Sequence, residues 1–302
     1  MIKDRLKPIT TLRDVYLSFK EPSRLLHYIP NIDNFPEDKD LIVRLCSRNG
    51  DISGTSLGLL TMSGRQTTLD ERVGLVYFVA LVEEADTILD DPSTPKFQEP
   101  KQLSEFLMPK NIVLDSSEIS ITKLLELSLS KYSEEKKQTI QNFISQMLEL
   151  HVVDKPYPYS YHQALEYKVA TAVSYGRVAL TLINSKFIES PAFDNIATSI
   201  QILDDAHDWQ KDFEEGSMNL LLGTAYDQWQ TNGNIPNQDW SFLINLAGKS
   251  QEYITPRKLF KHPELRHTKT AFGQHFMENA STSERFPFDK AFFALSRLKM
   301  GI

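Results

Sequence analysis

The stretch that most constrains this chain runs from Ser190 to Gly216, SPAFDNIATSIQILDDAHDWQKDFEEG. Ser190 followed by Pro191 is a helix start: a hydroxyl cap, then the residue favoured at the first helical position. Gly216 supplies the stop, because helices commonly end on a residue in left-handed geometry. Between them Phe193, Ile196, Ala197 and Ile200 fall at helical spacing and predict one apolar stripe. The next inward positions on that stripe are Asp204, Asp208 and Asp212, spaced i, i+4, i+8. Residues four apart share a helix face, with about 5–6 Å between Cβ atoms. Three carboxylates so stacked repel one another unless something positive lies between them. A solvated acidic face would sit opposite the core, whereas these positions extend the core stripe. A divalent cation held by oxygen ligands accounts for them better, and Mg²⁺ suits a few carboxylates with waters and phosphate oxygens.

A second helix repeats the pattern. Thr68 and Glu71 form a capping box before an apolar run, and the helix is expected to reach Asp91 and stop at Pro92. Leu75, Val79 and Val82 give its inward stripe, which continues into Asp86 and Asp90 within EEADTILDDP. Further helices are expected over about 10–28, 38–48 (ending at Asn49-Gly50), 116–131 and 134–152, with a Pro-containing loop at 92–109. Ser160 and Gln163 open another capped helix, running to about 183, whose inward face carries Ala164, Lys168, Ala172, Tyr175 and Ala179. Small residues there leave room for a cavity. Weaker patterns mark helices near 219–230, 239–253, 268–280 and 288–299. Strand-like alternation is scarce, so the chain reads as all-α, in a single domain spanning 1–302.

Composition removes several classes of function. A net charge of −7 without a basic run argues against a nucleic-acid partner. One cysteine, Cys46, excludes an internal disulfide framework and fits a reducing compartment. The N-terminus has no apolar signal core and no stretch approaches the ~18 apolar residues of a membrane span, so a cytoplasmic protein is expected.

Carboxylate-bound metals inside helical bundles serve two ligand classes, oxygen at a di-iron centre and diphosphates. The first needs Glu-x-x-His pairs on two helices, and only one of the seven histidines, His267 after Glu264, has that spacing. His207, beside Asp208, is read as a flanking or supporting group. The diphosphate reading wants cationic help, for which Lys168 and Arg177 are candidates.

At this point the residues carry a family resemblance. EEADTILDDP resembles the first acidic motif of squalene and phytoene synthases, and YKVATAV their tyrosine-containing YRVAG segment. QILDDAHDWQKD is similar to the second aspartate-rich motif of trans-prenyl diphosphate synthases and to the D-D-x-x-S-x-x-x-E pattern of class I terpene cyclases. Together these resemble the class I isoprenoid synthase superfamily, over roughly residues 50–220. The resemblance implies an antiparallel helical bundle with a central active-site cavity. It implies three Mg²⁺ ions, with Mn²⁺ as a substitute, held by Asp86, Asp90 and Asp91 and by Asp204, Asp205, Asp208 and Asp212. These metals would draw off the diphosphate of a prenyl substrate and leave an allylic cation. Aromatic faces would then shelter that cation, with Phe78, Tyr167, Tyr175, Phe272 and Phe276 as candidates. A homodimer is implied by analogy alone.

Departures from the motifs choose among branches. Glu83 stands where head-to-head synthases carry Arg, Asp204-Asp205 replaces their Arg-Asp, and Thr171 replaces the Gly of YRVAG. Chain-elongating synthases show D-D-x-x-D, where DTILD has Thr87 in second place. A terpene cyclase (a lyase) needs neither a second-substrate site nor a reductant, and is the expected activity, with farnesyl diphosphate as substrate and a sesquiterpene as product. A condensing prenyltransferase and a non-catalytic prenyl-diphosphate-binding partner subunit are the alternatives.

Overall fold

A computed structural model describes residues 23–63, 67–91, 93–115, 117–152, 158–231 and 254–281, with a few further positions within 15–21 and 242–246. In chain order come α1 (Ser23–Leu26), α2 (Pro36–Arg48), α3 (Gly50–Thr61), α4 (Leu69–Leu89) and α5 (Pro100–Leu107). Strands β1 (Asn111–Leu114) and β2 (Ser117–Ser120) follow, then α6 (Ile121–Ser130), α7 (Glu134–Val152), α8 (Tyr161–Lys168) and α9 (Ser174–Leu182). The last group is α10 (Pro191–Glu215), α11 (Leu220–Thr231), α12 (Pro256–Leu259) and α13 (Arg266–Ser281). The protein is mostly helical, as expected of an all-α chain. The regions predicted at 239–253 and 288–299 lie largely or wholly outside the described residues.

The chain divides into two compact units, one of Met1–Val153 with Tyr175–Glu189, the other of Asp154–Ser174 with Ser190–Ile302. In the first, α4 is the axis. Leu75, Val76, Tyr77, Phe78, Val79 and Ala80 are all inaccessible to solvent, so the middle of this helix is buried all round, and α3 and α6 pack on it. Thr68 and Glu71 form the expected reciprocal cap, and the helix ends at Leu89 with Asp90 as its cap.

Two local expectations are corrected, and one further helix is added. The helix expected at 38–48 ends at Arg48, as expected, and the Asn49 side chain then accepts the Asp51 amide at 3.0 Å to start a further helix, α3. The expected loop at 92–109 contains α5, opened by Pro100 at its first position. The helix expected from 116 begins at Ile121, since residues 111–120 form an antiparallel hairpin pairing Asn111 with Ser120 and Leu114 with Ser117.

In the second unit α10 packs with α11, α13 and the turn that follows α8. Its start has no side-chain cap: Pro191 occupies the first turn, but Ser190 makes no capping hydrogen bond. Its end is as expected, with Gly216 left-handed at φ 71°. The Ser160–Gln163 box opens α8, and α8 runs into α9 through a π-helical segment, Val169–Val173. Here Gly223 of α11 passes directly against the backbone at the head of α8. A Cβ at that position would lie 2.8 Å from the Ser160 carbonyl and the Tyr161 amide, neither of which is a flexible chain end. Gly223→Ala is therefore expected to destabilise the protein by about 1–3 kcal/mol, read as a lowered midpoint in urea unfolding.

Candidate functional site

The buried stripe of α10 is not the one its sequence suggests. Ala192, Phe193, Ile196, Ser199, Ile202, Ala206 and Trp209 form it, while Ile200 is 38 % exposed. Placing Ile200 inside puts the phase of the stripe out by about one residue. The apolar face therefore continues past Ile202 to Trp209, and the acid it carries inward is Asp205, 1 % exposed. Asp204 and Asp208 lie on the exposed side, one turn apart in a column with Ile200, and Asp212 is half-buried at the foot of that column.

Asp205 is held from three sides. The Lys168 ammonium lies 2.8 Å from its Oδ1, the Leu220 amide donates to Oδ2 at 2.5 Å, and its own main-chain carbonyl accepts from Asn219 Nδ2 at 2.8 Å. Burial raises its pKa to about 6 even though Lys168 and the Leu220 amide pull the other way. For Lys168 burial opposes the charge, but Asp205, Asp212 and Asp204 outweigh it and raise its pKa, so it is a fixed cation.

Asn219 joins this pair to the acidic column. The same Nδ2 donates to Asp212 Oδ2 at 2.7 Å, and its Oδ1 accepts the Leu221 and Leu222 amides, which opens α11. Its own amide donates to the Tyr159 hydroxyl at 2.8 Å, which donates in turn to the Ser217 carbonyl at 2.9 Å. Neither Asn219 nor Tyr159 is a site candidate on sequence grounds. The available signal for Asn219 was an Asn directly before the apolar run LLL, an N-cap pattern.

Asp204 keeps solvent access, yet its pKa is pushed up to about 7, by the desolvating atoms around it and then by repulsion from Asp208 and Asp205. Burial likewise raises Asp212, against Lys168 and Asn219.

In the first unit Asp86, Asp90 and Asp91 are all exposed at the end of α4. Asp91 caps the following turn, accepting the Ser93 amide at 2.8 Å and hydroxyl at 2.6 Å, and those bonds hold its pKa low. The buried acid of this helix is Glu84, 1 % exposed and paired at 3.1 Å with Arg48. Arg177 donates to the Ile188 carbonyl at 2.7 Å.

The aromatic candidates divide. Phe78 packs on Phe143 and Tyr175 with centroids 5.8 and 5.7 Å apart. The Tyr175 hydroxyl is inaccessible to solvent and has no hydrogen-bond partner among the described residues. Phe272 and Phe276 are fully buried, Phe272 against Phe260. Tyr167 is half-buried, and its carbonyl accepts the Thr171 hydroxyl at 3.0 Å.

Among the described residues no three His, Cys, Asp or Glu side chains converge as a metal-binding group. Mg²⁺ commonly takes only one or two protein carboxylates, with substrate phosphates and water completing its shell. Asp204 and Asp208 are such a pair in number and chemistry, accessible to solvent and one turn apart on α10. Asp205 is already saturated by Lys168 and Leu220.

Two outcomes follow from this electrostatic arrangement. Lys168→Met leaves the Asp205 carboxylate buried without its cation and is expected to cost about 3–5 kcal/mol in denaturant unfolding. A carboxylate whose folded pKa is raised holds a proton that the unfolded chain has released, so its contribution falls as pH rises from the ordinary value near ~4 to the folded value. In metal-free buffer the melting midpoint should therefore decline as pH rises from about 4 to about 7, and Asp204→Asn should flatten that decline.

No family model, no curated protein and no solved structure matches this chain.

Proposed function

We propose that this protein is a Mg²⁺-dependent class I terpene cyclase that ionises a linear prenyl diphosphate, farnesyl diphosphate being the preferred substrate, and closes the resulting cation into a cyclic C15 product. The observation that carries the reading is the accessible Asp204–Asp208 pair on α10, directly beside a buried Lys168–Asp205 ion pair. Asp204 and Asp208 would hold the metal, and Asp212, oriented by Asn219, stands next to them. Bound Mg²⁺ would supply Lewis-acid charge to the departing diphosphate. Lys168 stays protonated and adds fixed positive charge behind the column, while Asp205 keeps it in place.

On the first unit, Asp86 and Asp90 are the corresponding acidic pair, and Asp91, tied to Ser93, fixes the turn behind them. The rings of Phe78 and Tyr175 present polarisable faces without a basic nitrogen, a suitable environment for an allylic cation. Arg177 is proposed as a diphosphate contact and Tyr167 as a second aromatic contact, both in line with the motif resemblance.

The test is incubation of the purified chain with farnesyl diphosphate and Mg²⁺, reading pyrophosphate release together with extracted hydrocarbons. Cyclic product is expected, with a loss of at least ~100-fold in the Asp204→Asn plus Asp208→Asn variant, whose fold circular dichroism verifies. Absence of release from geranyl, farnesyl and geranylgeranyl diphosphates alone would overturn the cyclase reading. Release that requires a second prenyl diphosphate would assign a condensing prenyltransferase instead.

A further inference from the structure

A groove of about 460 Å³ lies on the second unit, lined by Gln228 of α11 and by Arg266, His267, Thr270, Ala271 and Gln274 of α13. None of the acidic or aromatic candidates above lines it. Arg266, Thr270 and Gln274 recur every fourth residue and form one column of α13, with His267 and Ala271 in the next column. Arg266, His267, Thr270 and Gln274 are exposed, and Gln228 is half-buried.

The chemistry of this lining is one-sided. It offers the five-donor guanidinium fork of Arg266, an imidazole, two carboxamides and a hydroxyl, and it contains no carboxylate. That is unusual company on a chain with 40 acidic against 33 basic residues. Neither Arg266 nor His267 is ion-paired with any described residue. The acids nearest in sequence are turned to other tasks or lie outside the lining. Asp227 accepts the Tyr161 amide at 2.9 Å, Glu278 stands 4.0 Å from His275, and Glu264 is exposed before α13 begins.

We infer that this groove binds a small, multiply charged oxyanion of the phosphate or pyrophosphate type, with Arg266 as its principal contact. A planar guanidinium matches two oxygens of such an anion at once, and the amides and the hydroxyl of Thr270 supply donors around it. Binding here needs no divalent cation, because positive charge is already built into the lining. This distinguishes it from the acidic column of α10, which can take a diphosphate only through a metal.

The experiment is isothermal titration of inorganic pyrophosphate, and separately of inorganic phosphate, into the full chain in EDTA-containing, Mg²⁺-free buffer. Saturable binding is expected, weakened about tenfold or more by Arg266→Gln and unchanged by Asp204→Asn plus Asp208→Asn. Absence of saturable binding by the unaltered chain would overturn the inference, as would equal binding by Arg266→Gln with an unaltered melting temperature. Binding lost in the Asp204/Asp208 variant and retained in Arg266→Gln would overturn it as well. Mg²⁺-dependent turnover of farnesyl diphosphate is read independently, so either assignment can fail without the other.

Discussion

A carboxylate withdrawn from water costs several kcal/mol unless compensating charge and hydrogen bonds meet it, and Asp205 is the point at which the second unit meets that cost. Its partners come from three elements: the ammonium from the end of α8, the amide from the first residue of α11, and the helix α10 that carries it. Each partner depends on the others. Without Lys168 the acid is uncompensated; without Asp205 the Leu220 amide, at the positive end of α11, loses its acceptor. The interaction therefore ties packing to electrostatics, and Asn219 and Tyr159 extend it into the turn after Gly216.

Adjacent acids on one helix consequently do different work. Neighbouring positions on an α-helix differ by about 100° in direction, so Asp204 and Asp205 cannot both face the core. Asp205 turns inward and is spent on structure. Asp204 and Asp208 turn outward, and desolvation, followed by repulsion from Asp208 and Asp205, raises the Asp204 pKa to about 7. On α4 the same division separates buried Glu84, bound to Arg48, from exposed Asp86 and Asp90.

What was legible in the sequence was whatever local chemistry decides. The Thr68–Glu71 and Ser160–Gln163 boxes, the stop at Gly216 and the extent of 134–152 depend on groups a few residues apart, and each is realised. The phase of the α10 stripe was not, because Ile200 and Ile202 are both apolar and only the neighbouring helices decide which is covered. The stop at Asn49-Gly50 is realised, but the helix that the same Asn49 opens was not legible, since an Asn before a turn and an Asn before a helix look alike without the partner amide; Pro100, read within a loop, also opens a helix. The hairpin at 111–120 has too few residues for alternation to stand out. In the candidate site the acids were visible as residues, while their division into paired and accessible groups required the position of Lys168 and the Leu220 amide.

The π-helical segment Val169–Val173 has a consequence for counting along the chain. A π turn closes its hydrogen bonds over five residues rather than four, so it amounts to one extra residue spliced into an otherwise regular helix. From Lys168 onward every side chain is rotated relative to a regular wheel, and the buried positions up to the end of α9 are Val173, Gly176, Ala179, Leu180 and Leu182. Removing a single residue from this segment would turn it into ordinary α-helix while leaving both flanks hydrogen-bonded. A deletion there would thus act as a change of phase, swinging everything downstream of Lys168 by about a quarter turn without breaking the rod.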